Sequence, residues 1–262
     1  MDTAFCTNIF TTEEFPAAVE RLGRLGYDGV EIWDRQLREI PISQIGQIAS
    51  KAGVSVSQVC PYFDFTTSEE KAEESLRIGA EYVGFAVALG CKKIRTFTGG
   101  VGSREASDEQ WTRASQCLRR ICGMAQPHGI ALVLETHPGS LMDTSAGTLK
   151  LLEMVGMPNL KINLQLPLFG EEIGDSVERL GEQVVHMHAH NWTGIKGKSD
   201  WAELTFLDSG IIDFRNLIFE LRKRGFDGTI SIEHGKHMGL RDPWEVAEHE
   251  IEYLRTLIAD IR

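Results

Sequence analysis

The chain has 262 residues, of which 42% are hydrophobic and 25% are charged, as in globular proteins. Its formal net charge of -11 opposes binding to a phosphate backbone, and no run of lysine and arginine compensates for it, so we expect no nucleic-acid partner. No apolar stretch approaches the ~20 residues of a membrane span, so we expect no membrane partner either.

The cysteine pattern predicts a reduced, cytoplasmic protein. The chain has five cysteines, an odd number, and they are scattered with no CxxC pair, which argues against a disulfide framework. The first residues lack a basic segment followed by an apolar run, so we expect no signal peptide.

Short apolar runs alternate with longer helical patterns along the whole chain. This alternation is typical of βαβ units with a parallel sheet, and eight repeats without a change of composition predict a (β/α)8 TIM barrel of class α/β, forming a single domain over residues 1–262. We expect the strands at about 4–9, 28–33, 54–60, 92–97, 130–136, 160–166, 184–190 and 229–234.

Glycines precede several of these strands. Gly26 opens a Gly-Tyr-Asp-Gly segment before the second strand, and Gly225 opens a Gly-Phe-Asp-Gly segment before the last one. We expect each to end a helix in the left-handed conformation on the N-terminal face of the barrel, which concerns folding rather than chemistry.

Side chains alternate along a strand, so the apolar set should pack on the helices and the other set should face the barrel interior. By this rule His186, His188 and His190 share one inward face, and Glu135, Gln165 and Glu233 also point inward near strand ends. Buried carboxylates need a cation or a shared proton. We therefore predict a divalent metal ion (Mn, Mg or Zn) bound by Glu135, Gln165, His188 and Glu233.

Other inward or rim residues allow more than one interpretation. Glu31 and Arg95 either pair with each other or bind substrate hydroxyls; His186 is expected to support the site from below. His190 is a substrate contact or a solvated rim residue, and Lys196 and Lys198 meet an anionic group or are simply solvated. Four aromatic residues at strand ends form either a pocket wall or part of the core: Trp33, Tyr62, Phe63 and Trp192.

These motifs together resemble the xylose-isomerase-like TIM-barrel superfamily, which includes sugar isomerases and epimerases, inosose dehydratases and the endonuclease IV group. The resembling segments are Gly26–Trp33, Leu134–Gly139, Val185–His188 and Phe226–Glu233. The resemblance implies that Glu135, His188 and Glu233 are metal ligands, and that the substrate is a sugar or polyol. It departs at Gln165 and Leu168, where the family usually has Asp and His, so we expect weaker metal binding here.

The resemblance also implies chemistry. Glu135 and Glu233 would be the catalytic acid/base pair of an isomerase or epimerase that removes an α-proton through an enediolate. Substrate contacts would come from Trp33, Phe63, Arg95, His137, His190 and Lys196.

Three other functions remain open at this point. The same enolising step followed by loss of a hydroxyl would be a dehydratase reaction, and the barrel could instead be a non-catalytic carbohydrate or metabolite binder. A DNA-repair endonuclease is disfavoured by the charge of -11 and by Asn163 and Gln165 on strand six. The sequence leaves open whether the chain forms a homo-oligomer.

Overall fold

The computed structural model describes residues 1–168, 170–196, 200–234 and 242–261. Eight parallel strands form a closed barrel, in which each strand pairs with the next barrel strand along the chain and the last pairs with the first. The barrel strands are β1 (Asp2–Cys6), β2 (Gly29–Trp33), β3 (Ser55–Cys60), β4 (Lys93–Thr96), β5 (Ala131–Glu135), β6 (Leu160–Leu164), β7 (Val184–Ala189) and β12 (Thr229–Ile232). The predicted (β/α)8 TIM barrel is therefore confirmed.

The first strand differs from its predicted bounds of 4–9. It begins at Asp2, which pairs with Thr229 of β12, and it ends at Cys6. The following residues, Thr7–Ile9, form a 3-10 turn, in which the Thr7 hydroxyl donates to the carbonyl oxygen of Glu31 at 2.7 Å. The apolar pattern continues past Cys6 because Ile9 is buried beyond the end of the sheet.

Helices cover the outside of the barrel. Their bounds are α1 (Phe15–Leu25), α2 (Asp34–Glu39), α3 (Ile42–Ala52), α4 (Glu69–Leu89), α5 (Asp108–Ala125), α6 (Ser145–Val155), α7 (Ile173–Leu180), α8 (Phe214–Lys223) and α9 (Pro243–Ile261). Gly26 ends α1 with φ 93° and Gly225 follows α8 with φ 88°, which confirms the left-handed turns predicted before β2 and β12.

The segment after β7 carries secondary structure that the sequence did not predict. Four two-residue strands follow His190 in chain order: β8 (Asn191–Trp192), β9 (Ile195–Lys196), β10 (Asp200–Trp201) and β11 (Leu204–Thr205). β8 pairs with β11 and β9 pairs with β10, both antiparallel. This hairpin lies at the C-terminal end of β7, on the face of a TIM barrel where active sites form.

The apolar face of each barrel strand packs against the helices, as the alternation predicts. Leu132 and Leu134 of β5 and Ile230 and Ile232 of β12 are at most 2% exposed. All five cysteines are buried and free in the structure. Within the described ranges, no helix combines the length and the apolar character needed to cross a bilayer.

Candidate active site

The strand register brings four polar groups to the C-terminal end of the barrel. Glu135 is the last residue of β5 and is aligned with Asn163 of β6, two residues before Gln165. His188 of β7 is aligned with Ser231 of β12, two residues before Glu233. Because inward positions recur every second residue, these alignments place the four side chains in one layer of the barrel interior.

The four side chains converge on a common centre. His188 Nδ1 lies 3.3 Å from Glu233 Oε2 and 3.6 Å from Glu135 Oε1. One terminal atom of the Gln165 amide lies 3.1 Å from each of the same two carboxylate oxygens. In the described part of the chain, Glu135, His188 and Glu233 are one of two groups able to hold a metal ion.

These distances fit a divalent cation. With the Gln165 amide oxygen facing inward, three oxygens and one imidazole nitrogen would surround the ion, a donor set that suits Mn²⁺, Mg²⁺ or Zn²⁺. Without an ion, the amide nitrogen of Gln165 faces the carboxylates and donates to both, and a protonated His188 satisfies them from the other side. The same four groups are therefore compatible either with bound protons or with a cation.

The charges at this centre are strongly perturbed because all of them are buried. Burial raises the pKa of Glu135, but Arg95 and His188 outweigh it and bring the pKa down to about 2. The pKa of Glu233 is also lowered, since His188 outweighs its burial. For His188, burial lowers the pKa, but Glu31, Glu233 and Glu135 raise it well above its ordinary value. Both carboxylates are thus ionised, which is the state in which a carboxylate can bind a metal ion.

Arg95 holds Glu135 in place. Its Nη1 donates to Glu135 Oε2 at 2.9 Å and its Nη2 donates to the carbonyl oxygen of Pro61 at 3.2 Å. Three aromatic rings surround the guanidinium, with their centres 4.3 to 4.7 Å from Cζ: Trp33, Tyr62 and Phe97. The side chain is 1% exposed. Arg95 therefore directs one oxygen of Glu135 away from the centre and leaves Oε1 facing it.

Glu31 pairs with histidines and not with Arg95, so one alternative for this residue was wrong. Its Oε1 contacts His186 Nε2 and its Oε2 lies 3.0 Å from His188 Nε2. This is the second group able to hold a metal, and all three side chains are fully buried. Burial raises the pKa of Glu31, but the lowering by His188 and His186 is larger. The pKa of Glu31 is therefore well below its ordinary value.

His190 is buried, so its interpretation as a solvated rim residue is wrong. It is 4% exposed, and its Nδ1 lies 3.7 Å from Glu233 Oε2. Burial lowers its pKa to about 4, which keeps the ring neutral near pH 7. His137, two residues after Glu135, is half-buried, and its ring packs edge-on against Phe97 with centroids 5.3 Å apart.

The aromatic residues divide into two groups. Trp33 and Tyr62 lie against Arg95 beside the centre, with Tyr62 51% exposed. Phe63 and Trp192 are 3% exposed, as core residues are. The backbone of Lys196 pairs with Asp200, but its side chain lies outside the described parts of the structure, as does all of Lys198.

One supporting residue was missed from the sequence. The Thr136 hydroxyl accepts from the N–H of Gln165 and donates to the carbonyl oxygen of Gln165, both at 2.8 Å. It fixes the backbone of Gln165 just beyond the end of β6. A threonine directly after Glu135 at a strand end was the available signal, but its partner is 29 residues away in the sequence.

Comparisons with known proteins relate most of the chain to one family of barrels. A family model described as a xylose isomerase-like TIM barrel matches residues 19–257. The 3-dehydroshikimate dehydratase of Bacillus anthracis is 28% identical over 202 residues, covering 73% of this chain and 72% of that protein. The fructoselysine 3-epimerase of Escherichia coli O157:H7 is 22% identical over 277 aligned positions, covering 97% of this chain and 98% of that protein.

A solved structure shows the same fold. The xylose isomerase-like TIM barrel protein from Mycobacterium smegmatis, in complex with magnesium, superimposes with a TM-score of 0.79 at 16% identity, covering 100% of this chain and 98% of that one. Dehydratases and epimerases are thus both among the relatives of this chain.

Proposed function

We propose that this chain, which belongs to the xylose isomerase-like TIM-barrel family, is a metal-dependent isomerase or epimerase of a sugar or sugar derivative. The metal ligands would be Glu135, Gln165, His188 and Glu233, with Mn²⁺, Mg²⁺ or Zn²⁺ as the ion. Glu135 and Glu233 would also be the catalytic acid/base pair.

The observation that carries the proposal is the convergence of two ionised carboxylates on one imidazole nitrogen. Both reach His188 Nδ1, at 3.3 and 3.6 Å, inside a barrel where no charge is stable alone. Buried charges without compensation are costly, so a core with a purely structural role would contain fewer charged side chains than this one.

The reaction would proceed by enolisation. Glu135, Gln165, His188 and Glu233 would hold a divalent ion, which would supply positive charge to stabilise the negative charge that develops on the substrate oxygen as the α-proton leaves. In the substrate complex, one of Glu135 and Glu233 would be ionised and would accept that proton. The other would first take up a proton from water and would deliver it to the opposite face of the same carbon. Return to the neighbouring carbon instead interconverts an aldose and a ketose.

The surrounding residues would bind the substrate. Arg95 would act through Glu135, since its guanidinium is enclosed by rings and carries the ion pair. Trp33 would present an apolar face beside the centre, and His137 and His190 would contact hydroxyl groups. Phe63 would back the pocket from the core, and Lys196 would contact the substrate from the hairpin after β7.

A dehydratase is the second candidate, favoured by the 28% identical 3-dehydroshikimate dehydratase. The first step is the same: a carboxylate accepts the α-proton and an enolate forms. The enolate electrons then expel the β-hydroxyl, which leaves as water after taking a proton from the second carboxyl group. The two reactions differ in the fate of the enolate, which is protonated on carbon in an epimerase and expels the neighbouring hydroxyl in a dehydratase.

The test is proton exchange. The protein, freed of metal with a chelator and then supplied with Mn²⁺, is incubated in deuterated water with a panel of ketoses, aldoses, inosose and 3-dehydroshikimate. NMR detects α-deuterium incorporation, and absorbance detects conjugated products of water loss. We expect exchange with at least one compound, and a decrease of 10²-fold or more for Glu135→Gln and Glu233→Gln. Glu250→Gln, a buried glutamate on α9, serves as the matched control and should retain the native rate.

Two results would count against the proposal. Exchange that persists in both active-site variants would remove Glu135 and Glu233 from the reaction. Binding of sugars without exchange on any compound, with Mn²⁺ bound, would favour the non-catalytic carbohydrate or metabolite binder.

A further inference from the structure

Glu31 lies beneath the proposed metal centre, on the opposite side of His188. It comes from β2, and its two histidine partners come from β7, 155 and 157 residues later in the chain. The carboxylate is fully buried. Since it has no surface exposed to solvent, Glu31 is placed to act through the residues that it contacts.

The two nitrogens of His188 face in different directions. Nδ1 faces Glu233 and Glu135 at the centre, whereas Nε2 lies 3.0 Å from Glu31 Oε2. A nitrogen that binds a metal must be unprotonated, and a neutral imidazole then carries its hydrogen on the other nitrogen. Because an ionised carboxylate only accepts hydrogen bonds, Glu31 favours the tautomer with hydrogen on Nε2 and the lone pair on Nδ1.

Glu31 is itself held by several donors. Gln58 Nε2 lies 3.2 Å from Oε2, and the thiols of Cys60 and Cys6 lie 3.4 and 3.8 Å from the same oxygen. His186 occupies the other oxygen. These partners come from β1, β3 and β7, so the orientation of the carboxylate is fixed by three strands of the barrel.

We propose that Glu31 is a positioning residue of the metal centre, which sets the tautomer and ring orientation of His188 so that Nδ1 faces the ion. The proposal rests on the proposed function, because it requires an ion at Glu135, Gln165, His188 and Glu233. Carboxylates that accept from a metal-binding histidine commonly improve metal affinity by about 10- to 100-fold.

The test compares Glu31→Gln with Glu250→Gln. Both convert a buried glutamate into its amide, but only the first lies near His188. An amide nitrogen at position 31 would donate to the ring and favour the tautomer with hydrogen on Nδ1; Asn163 Nδ2, 3.0 Å from Nε2, supports that tautomer too. Calorimetric titration with Mn²⁺ should give about 10- to 100-fold weaker binding for Glu31→Gln and a native constant for Glu250→Gln.

A second measurement is made on the native protein and does not depend on the stability of Glu31→Gln. In the Mg²⁺-loaded protein labelled with ¹⁵N-histidine, the ring signals of His188 are assigned by their loss in His188→Gln. We expect the hydrogen on Nε2. A hydrogen on Nδ1 would overturn the proposal, as would native Mn²⁺ affinity in a folded Glu31→Gln.

The outcomes separate the two proposals. Native protein that binds one Mn²⁺ while Glu31→Gln binds it equally well overturns the role of Glu31 alone. Native protein that binds no divalent ion overturns that role and the proposed function together. Two ions per chain would place a metal between Glu31 and His188 in place of a proton, and would also overturn the role proposed for Glu31.

Discussion

Gln165 is the proposed metal ligand that carries an amide group, and Gln165→Glu adds one negative charge there without changing the side-chain shape. In the structure, one terminal atom of the amide lies 3.1 Å from an oxygen of Glu135 and 3.1 Å from an oxygen of Glu233. The introduced carboxylate would therefore face two others in the absence of metal, and a doubly charged cation in its presence. The substitution should therefore destabilise the metal-free protein and strengthen the binding of the metal ion.

The size of the effect on the metal-free protein follows from these distances. Each repulsion between carboxylates about 4 Å apart amounts to ~4 kcal/mol at an effective dielectric constant of about 20. The folded variant avoids this by binding a proton at the new carboxyl, so the loss of stability is limited to the free energy of protonation, about 3.5 kcal/mol at pH 7. Since the raised pKa favours the proton-bound folded state, the loss shrinks to about 1 kcal/mol at pH 5.

With metal bound, the attraction to a double charge outweighs the repulsion between ligands. We expect Mn²⁺ to bind at least about tenfold more tightly to Gln165→Glu than to the native protein, equal to about 1.4 kcal/mol. Calorimetric titration measures the affinity, and urea unfolding at pH 5 and pH 7, with and without Mn²⁺, measures the stability. Gln165→Leu is the control; it should bind Mn²⁺ more weakly and show no new pH dependence.

Two results together would refute the reasoning. Gln165→Glu would bind Mn²⁺ with native affinity, and the stability of the metal-free variant would depend on pH no more strongly than that of the native protein. Such a result would mean that the side chain at position 165 does not face Glu135 and Glu233.

Arg95→Met should destabilise the protein by about 3–5 kcal/mol in urea unfolding, because it leaves Glu135 as a buried charge without its partner; native stability would contradict this. Glu250→Gln should be more stable than the native protein at pH 8, by about 2–4 kcal/mol, and equal to it below pH 4.5. Burial raises the pKa of Glu250 to about 8, so ionisation of this carboxyl group in the native protein opposes folding increasingly as the pH rises from 4.5 to 8. Thermal melts at both pH values that show the same stability difference between variant and native protein would contradict this. Gly228→Ala should cost at least about 1–3 kcal/mol, since a Cβ would lie 2.1 Å from the carbonyl oxygen of Val185, whereas Gly123→Ala on α5, with open space, should not destabilise.

The sequence by itself determined the architecture and the inward face of each strand. Alternate residues of a strand face opposite sides, so Leu132 and Leu134 lie on one side and Glu135 on the other, and Ile230 and Ile232 are likewise opposite to Glu233. Because the apolar residues pack against the helices, the polar residues must face the barrel interior. The parallel strands of a closed barrel then place all such polar residues at one end. Four convergent groups, including Gln165 beyond the end of β6, were therefore predictable without coordinates.

Only the tertiary structure decided which polar groups pair inside the barrel. Glu31 and Arg95 both point inward, but closure of the barrel brings Glu31 to His186 and His188 and Arg95 to Glu135. The register also shifts between Val30 and Glu31 on β2 and between Ile162 and Asn163 on β6, which moves the following side chains relative to the neighbouring strand. Strand periodicity specifies a direction for each residue, whereas pairing depends on distances across the barrel, which are set by register and closure.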